Sequence, residues 1–235
     1  MPLTFVLIAS PLLRAASWGP VARELRAAGH LTHAPELDDD GDGSSAPFWR
    51  QHAQSAVQSM TDPGEPFVLV GHSGAGPLLP AIAEAFGRPP LGYLFVDAGI
   101  PRDGASRIDL FGEELGADAG AALRRHLEGD GLYPVWERDA LAAAIGEVAV
   151  LDSVVRMARP RGLAYWDEPL PVFDGWPDAP CAYLRLSEGY EYCAGVARER
   201  QWPVRSLRGG HFDLMTKPQL VATEMLELLA EMANS

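Results

Sequence analysis

Two cysteines are all that a chain of 235 residues contains, Cys181 and Cys193. Two thiols make no disulfide framework, and no Cys/His pairing at zinc-ligand spacing accompanies them. A reducing, cytoplasmic setting is the expectation, with no metal and no cofactor. Positive charge is also short: 19 Lys and Arg stand against 32 Asp and Glu, a net charge of −13. Phosphate backbones and anionic membrane surfaces are poor partners for such a chain, so a small-molecule substrate is expected instead of nucleic acid or membrane. Long apolar runs are missing too. The apolar opening from Leu3 to Leu13 is too short to span a bilayer. It lacks a basic leader and runs into Pro11 and Arg14 instead of a small-residue cleavage site, so its first part reads as a buried strand. No internal repeats or long low-complexity tracts occur.

What is present is ordinary globular composition, 47% hydrophobic and 22% charged. The length suits one larger α/β domain over 1–235, with room for an inserted cap. Leu3–Ile8, Phe67–Val70 and Leu91–Val96 are continuous apolar runs, the mark of strands covered on both faces. Between them lie helical patterns: one with Ser17 as N-cap, Pro20 in its first turn and Gly29 past its end, one around Phe48–Met60, and one over Gly74–Phe86 that Pro80 should bend. His30–Pro35 reads as a short strand. Strand–helix alternation implies a mainly parallel sheet flanked by helices. It lapses from Pro101 to about Ala179, an Ala-, Gly- and Pro-rich segment with helical stretches near Gly120–Glu128 and Ala140–Met157, read as a cap over the carboxyl edge of the sheet. Cys181–Leu186 and Val204–Leu207 resume the sheet. A last helix follows, with a capping box at Thr216–Gln219 and an apolar face of Val221, Met225, Leu228, Leu229 and Met232.

The strand Phe67–Val70 runs into Gly71-His72-Ser73-Gly74-Ala75-Gly76. A serine hydroxyl becomes a nucleophile only when a base removes its proton and the oxygen stands clear of the backbone. A tight strand-to-helix turn exposes it, but crowds the positions two before and two after; Gly71 and Ala75 are both small. Gly76 leaves room for helix and strand to pack closely. The amide of Gly74, at a helix N-terminus, can donate to a developing oxyanion. The competing reading is a turn in which Ser73 only caps the helix. The base belongs after the last strand, where Gly209-Gly210-His211 stands before the final helix. The histidines at 30, 33, 52, 72 and 126 lie in less suitable places, and the side chain of His72 should point away from that of Ser73. For the acid, Asp97 ends the strand Leu94–Val96; Glu191 and Glu188 follow the strand Ala182–Leu186. Asp97 is favoured, Glu191 is next and Glu188 third.

These features resemble the α/β-hydrolase superfamily: the elbow around Ser73, the order serine, acid, histidine, and the Gly209-Gly210-His211 tail. The resemblance spans nearly the whole chain, least diagnostically in the cap. It implies an eight-stranded, mostly parallel sheet with a helical cap after the sixth strand. Acid placement at Asp97 looks like that of polyketide and peptide-synthetase thioesterases; in most other members it follows the next strand, which suits Glu191. The chain is also similar to small actinobacterial-type serine hydrolases with an Asp-Asp-Gly loop and a Gly-Gly-His tail. The familiar His-Gly oxyanion loop is replaced by Ser10-Pro11-Leu12-Leu13, where the main-chain amide of Leu12 or Leu13 can still donate.

Asp38–Gly43 imitates the start of a calcium loop, but Trp49 occupies the position of the bidentate glutamate, so it reads as a solvated acidic turn. Among the aromatics Trp18, Trp49, Trp136, Tyr165 and Trp166, most read as packing residues; Trp18 and Trp49 follow loops that open at the carboxyl edge and are the candidate pocket walls. Arg14 reads as a surface residue. The expected activity is cleavage of a small-molecule ester or thioester by Ser73, His211 and an acid through an acyl-enzyme. The alternatives are a non-hydrolytic lyase, cyclase or acyl-modifying enzyme of secondary metabolism, and a non-catalytic ligand-binding module.

Overall fold

The structure, a computed structural model, describes residues 2–41, 43–60, 66–143 and 145–232. The buried apolar runs form strands β1 (Thr4–Ile8), β3 (Phe67–Ser73), β4 (Gly92–Ala98) and β5 (Cys181–Arg185), with the short β2 (Leu31–His33) and β6 (Val204–Ser206) at the edges. All pair in parallel, in the order β2-β1-β3-β4-β5-β6. Alternate side chains go to opposite faces. Val6, Leu69, Phe95 and Tyr183 pack on one face, and Phe5, Leu7, Val70, Leu94 and Leu184 on the other. Helices α1 (Gly19–Ala27) and α11 (Pro218–Met232) cover the second face; α2 (Phe48–Gln58), α3 (Leu79–Phe86) and α9 (Glu191–Glu199) cover the first. Among the described residues the sheet thus has six strands, not eight. Every connection between these strands is a crossover that returns the chain to the same end, so among the described residues the sheet contains no antiparallel pair.

Between β4 and β5 the chain forms α4 (Arg107–Leu115), α5 (Ala117–Glu128), α6 (Arg138–Ala142), α7 (Val148–Met157) and α8 (Leu163–Trp166). This insertion follows the fourth of the six strands described. The expected Ala140–Met157 helix is divided into α6 and α7; Ala144 lies outside the described residues. A capping box starts α4: the Ser106 hydroxyl accepts from the Asp109 amide at 3.2 Å, and the Asp109 carboxylate accepts from the Ser106 amide at 2.9 Å. The insertion packs its own small cores against the sheet edge, through Leu12 and Phe48 on one side and Leu13 and Phe212 on the other.

Polar ties fix it further. The Glu168 carboxylate accepts from the first amides of α2, Phe48 at 2.8 Å and Trp49 at 2.9 Å, and pairs with Arg107 at 2.7 Å. The side chain of Asp39, expected in a solvated turn, is instead buried, held by Arg161, Arg159 and His52. Two arginines of the insertion facing one acidic loop draw that carboxylate inward, which a local reading of the loop cannot anticipate. Asp40 remains at the surface and accepts from the amides of Gly43 and Ser45; Asp42 lies outside the described residues. The proposed capping box before α11 does not form: the Thr216 hydroxyl donates to Asp213, inside the short helix α10 (Asp213–Thr216). Nor does Ser17 cap α1; it lies in a 3-10 turn, Ala15–Trp18.

The elbow brings helix and strand together at Gly76. A Cβ there would lie 2.1 Å from the carbonyl oxygen of Gly99 and 3.0 Å from Cβ of Ala98. The Gly99 backbone cannot retreat freely, because its amide donates to the Ser73 carbonyl at 3.2 Å. Gly76→Ala is therefore expected to cost on the order of 3 kcal/mol of stability, read as a lower urea midpoint at unchanged slope.

Candidate active site

Ser73 is the last residue of β3 and has φ +58°, the left-handed region that side chains other than glycine seldom enter. The chain leaves it through a 3-10 turn, Gly76–Leu78, into α3, so Pro77 and Pro80 sit in first turns and need not bend one long helix. Close packing of Gly71 against Leu79, 3.0 Å from a Cβ placed there, keeps the elbow tight. The Ser10–Leu12 turn abuts it: the Ser10 hydroxyl would lie 3.2 Å from a Cβ on Gly74. The Leu12 amide makes only a long 3.3 Å bond to that hydroxyl, whereas the Leu13 amide is committed to the Ser10 carbonyl at 2.8 Å. Of the two, Leu12 is the residue that lines the cavity with Gly74.

Parallel pairing of β3 with β4 slips by one residue at their carboxyl ends. His72 pairs with Val96 and Ser73 with Ala98, so Asp97 is the bulged residue, with φ +45°. The Tyr183 hydroxyl pins this bulge, accepting from the Ala98 amide and donating to its carbonyl. The bulge turns a fully buried carboxylate toward the end of β5. There Asp97 Oδ1 accepts from the amides of Leu186 (2.8 Å) and Ser187 (3.0 Å), and Oδ2 accepts from the Ser187 hydroxyl at 2.6 Å. His211 Nδ1 lies 2.8 Å from the same Oδ2. Burial pushes the Asp97 carboxyl pKa up, but the bonds from His211 and Ser187 and the charge of His211 outweigh it, and the net shift is down.

Glu191 and Glu188 are elsewhere. Glu191 opens α9 with its side chain 54% exposed, paired with Arg198 at 2.7 Å and Arg185 at 3.0 Å. Glu188 is exposed. The end of β5 thus supplies donors to Asp97 instead of a second acid facing His211.

His211 follows the turn at Gly209, where a Cβ would lie 1.9 Å from the Asp213 carboxylate; only glycine lets Asp213 fold back there. Its imidazole is stacked between two rings, Tyr190 at 5.0 Å and His72 at 4.5 Å. His72 is fully buried, and its Nε2–H donates to the His211 carbonyl at 3.1 Å. Burial, and then the charge of His211, push its pKa down to about 3, so it stays neutral and positions the His211 backbone. The His72 side chain points away from that of Ser73, as the sequence suggests, and packs instead against His211. The Ser73 hydroxyl bonds the Tyr190 hydroxyl at 3.3 Å, and no hydrogen bond joins it to His211 among the described residues.

Ser73 and His211 open into one cavity of about 300 Å³ under the insertion. Its walls include Phe111, Tyr133, Trp136, Tyr165, Trp166 and Phe212. The structure does not bring Trp18 or Trp49 to it. Trp18 faces inward from its 3-10 turn and packs edge-on against His72, fully buried; Trp49 borders a separate surface hollow beside Glu168. Most of the cavity aromatics come instead from the insertion, where the sequence shows no strong period, with Tyr190 and Phe212 added from the segments after β5 and β6. Arg14 is exposed. No group of three or more metal-ligating side chains occurs among the described residues, and no helix among them is long and apolar enough to cross a membrane.

No protein-family model and no curated protein matches the sequence. Solved structures do. An extracellular α/β-hydrolase from a Paenibacillus species, described as sharing structural and functional homology with tobacco salicylic acid binding protein 2, is 22% identical with TM-score 0.78, over 97% of this chain and 99% of that one. Tomato methylketone synthase I, in a variant complexed with β-ketoheptanoate, is 18% identical with TM-score 0.74 over 98% and 99%. Polyneuridine aldehyde esterase is 18% identical with TM-score 0.71 over 97% and 99%. At these identities the likeness is one of architecture, and it extends over essentially the whole of each chain: this protein has the α/β-hydrolase fold.

Proposed function

We propose that the protein is a serine hydrolase that cleaves small-molecule esters or thioesters through an acyl-enzyme. The observation that carries this is the 2.8 Å contact of His211 Nδ1 with a buried carboxylate, Asp97, in the cavity that receives the strained Ser73 turn. Asp97 fixes the proton on Nδ1, leaving Nε2 as the base. The Ser73 hydroxyl exchanges its Tyr190 contact for Nε2, gives up its proton there and attacks the carbonyl carbon. Negative charge on the tetrahedral oxygen is met by the amides of Gly74 and Leu12, neither of which has a strong partner to lose; each such donor contributes about 3 kcal/mol. Collapse breaks the bond to the alcohol or thiol, which takes the proton from His211. Water then repeats the sequence on the acyl-enzyme and frees the acid. The aromatic walls exclude bulk water and accommodate an apolar substrate. Two buried, unpaired thiols support an intracellular setting.

Acid quenching during turnover of p-nitrophenyl butyrate, followed by intact mass, tests the route. A butyryl adduct on Ser73 is expected, with release of p-nitrophenol. A reactive Ser73 with no cleavage of any short ester or thioester would favour the non-hydrolytic enzyme. An inert Ser73 in a folded protein would favour the binding module.

A further inference from the structure

Helix α4 turns one face to the cavity. Arg107, Leu110, Phe111 and Glu114 recur at spacings of three and four and all line it. Arg107 donates through Nη1 to Glu168 and to the Tyr165 carbonyl, while its buried Nε and Nη2 have no hydrogen-bond partner among the described residues; Leu110 and Phe111 are apolar. Glu114 is the acid that the mechanism above does not use. Its Oε1 lies 2.8 Å from where a Cβ on Gly99 would stand, and the Gly99 amide donates to the Ser73 carbonyl. The carboxyl therefore sits beside the backbone of the nucleophile. It is half-buried, and its Oε1 accepts from Cys193 Sγ at 3.5 Å, a weak bond. No Arg or Lys pairs with it among the described residues. Arg102 in the neighbouring hollow is paired with Glu113 at 2.7 Å, and Arg200 borders the same hollow.

We propose that Glu114 reads the substrate: its carboxyl group hydrogen-bonds an uncharged acceptor oxygen, ether or keto, on the acyl chain. The cavity then prefers oxygen-bearing acyl esters to plain alkyl ones and to chains ending in a carboxylate. This rests on the serine-hydrolase reading above. A bare carboxylate would be costly in so apolar a wall. Burial is the largest influence on it and raises its pKa; the Cys193 bond opposes this, and the charges of Glu113 and Asp97 add to the rise, bringing it to about 7. The other groups facing it are the Tyr190 phenol, which burial keeps neutral, and Asp97, which stays ionised across neutral pH. Below about pH 7 Glu114 is a donor, and above it an acceptor that repels ether oxygens.

The test compares p-nitrophenyl hexanoate with its ether analogues, in which oxygen replaces one methylene at successive positions. It uses wild type, Glu114→Gln and Glu114→Leu at about pH 6 and about pH 8. The intrinsic reactivity of each ester is common to all variants, and any effect of pH on the catalytic step is common to both esters, so ratios of kcat/KM isolate the contact. At least one ether is expected to be favoured by wild type over Glu114→Leu about three- to tenfold at the lower pH. That preference should shrink at the higher pH in wild type and persist at both in Glu114→Gln, which keeps a donor. A role confined to holding α4 against α9 would move thermal stability in Glu114→Leu and leave every ratio unchanged, overturning the proposal. A Ser73 that no ester acylates removes the hydrolase reading, and this inference with it; acylation with unchanged ratios removes the inference alone.

Discussion

Asp97→Asn is expected to lower kcat for p-nitrophenyl butyrate by about 10⁴-fold, with KM little changed, in a protein that still folds. The reason lies in which atom each neighbour holds. The amides of Leu186 and Ser187 donate to Oδ1, so an asparagine must keep its carbonyl oxygen there. Its NH2 group then takes the Oδ2 position, facing His211 Nδ1 at 2.8 Å. A donor there makes Nδ1 the acceptor and moves the proton to Nε2, and a protonated Nε2 cannot take the proton of Ser73. The imidazolium of the transition state also loses its counter-charge. Glu191→Gln, by contrast, removes an exposed partner of two arginines and should leave kcat/KM within about twofold. A steady-state comparison of the two variants, with urea unfolding as a check on the fold, decides the matter. An Asp97→Asn enzyme within about tenfold of wild type would contradict the assignment.

Ser73→Ala carries the largest expected loss, about 10⁵- to 10⁶-fold in kcat, leaving the residue of catalysis that oxyanion donors and binding alone provide. The change is nearly silent for stability. Alanine at φ +58° is strained much as serine is, and the hydroxyl surrenders only a 3.3 Å contact with Tyr190. Loss of activity with an unchanged unfolding midpoint therefore separates chemistry from folding. Stopped-assay rates at high enzyme concentration measure it. Activity above about a hundredth of wild type would show that the reaction runs without this oxygen.

Parts of this architecture are legible along the chain because they are written locally. A parallel strand buried on both faces is a continuous apolar run, and β1, β3 and β4 are each one. The Ser73 turn announces itself through small residues at 71, 74, 75 and 76; a Cβ on Gly71 would crowd Leu79, one on Gly74 would approach Ser10, and one on Gly76 would strike the Gly99 carbonyl. The surroundings of His211 are not local. Asp97 reaches it through a one-residue bulge and is held by amides about 90 residues later in the chain, so the sequence favours Asp97 over Glu191 and Glu188 without showing how the ends of β4 and β5 meet. The cavity walls are hidden for another reason. Whether an aromatic lines a pocket or fills a core depends on which side of a short turn it faces, and Trp18 and Trp166 look alike in sequence. Glu114 is one acid among 32 Asp and Glu, distinguished only by lying against Gly99.

The most direct measurement of the central claim is intact mass after treatment with a fluorophosphonate, which modifies only a serine whose proton a neighbouring base can take. Wild type is expected to gain one phosphonyl adduct, mapped to Ser73, while Ser73→Ala gains none and Asp97→Asn reacts far more slowly. A correctly folded wild type that stays unmodified, or a Ser73→Ala protein that is labelled as fast as wild type, would contradict the account.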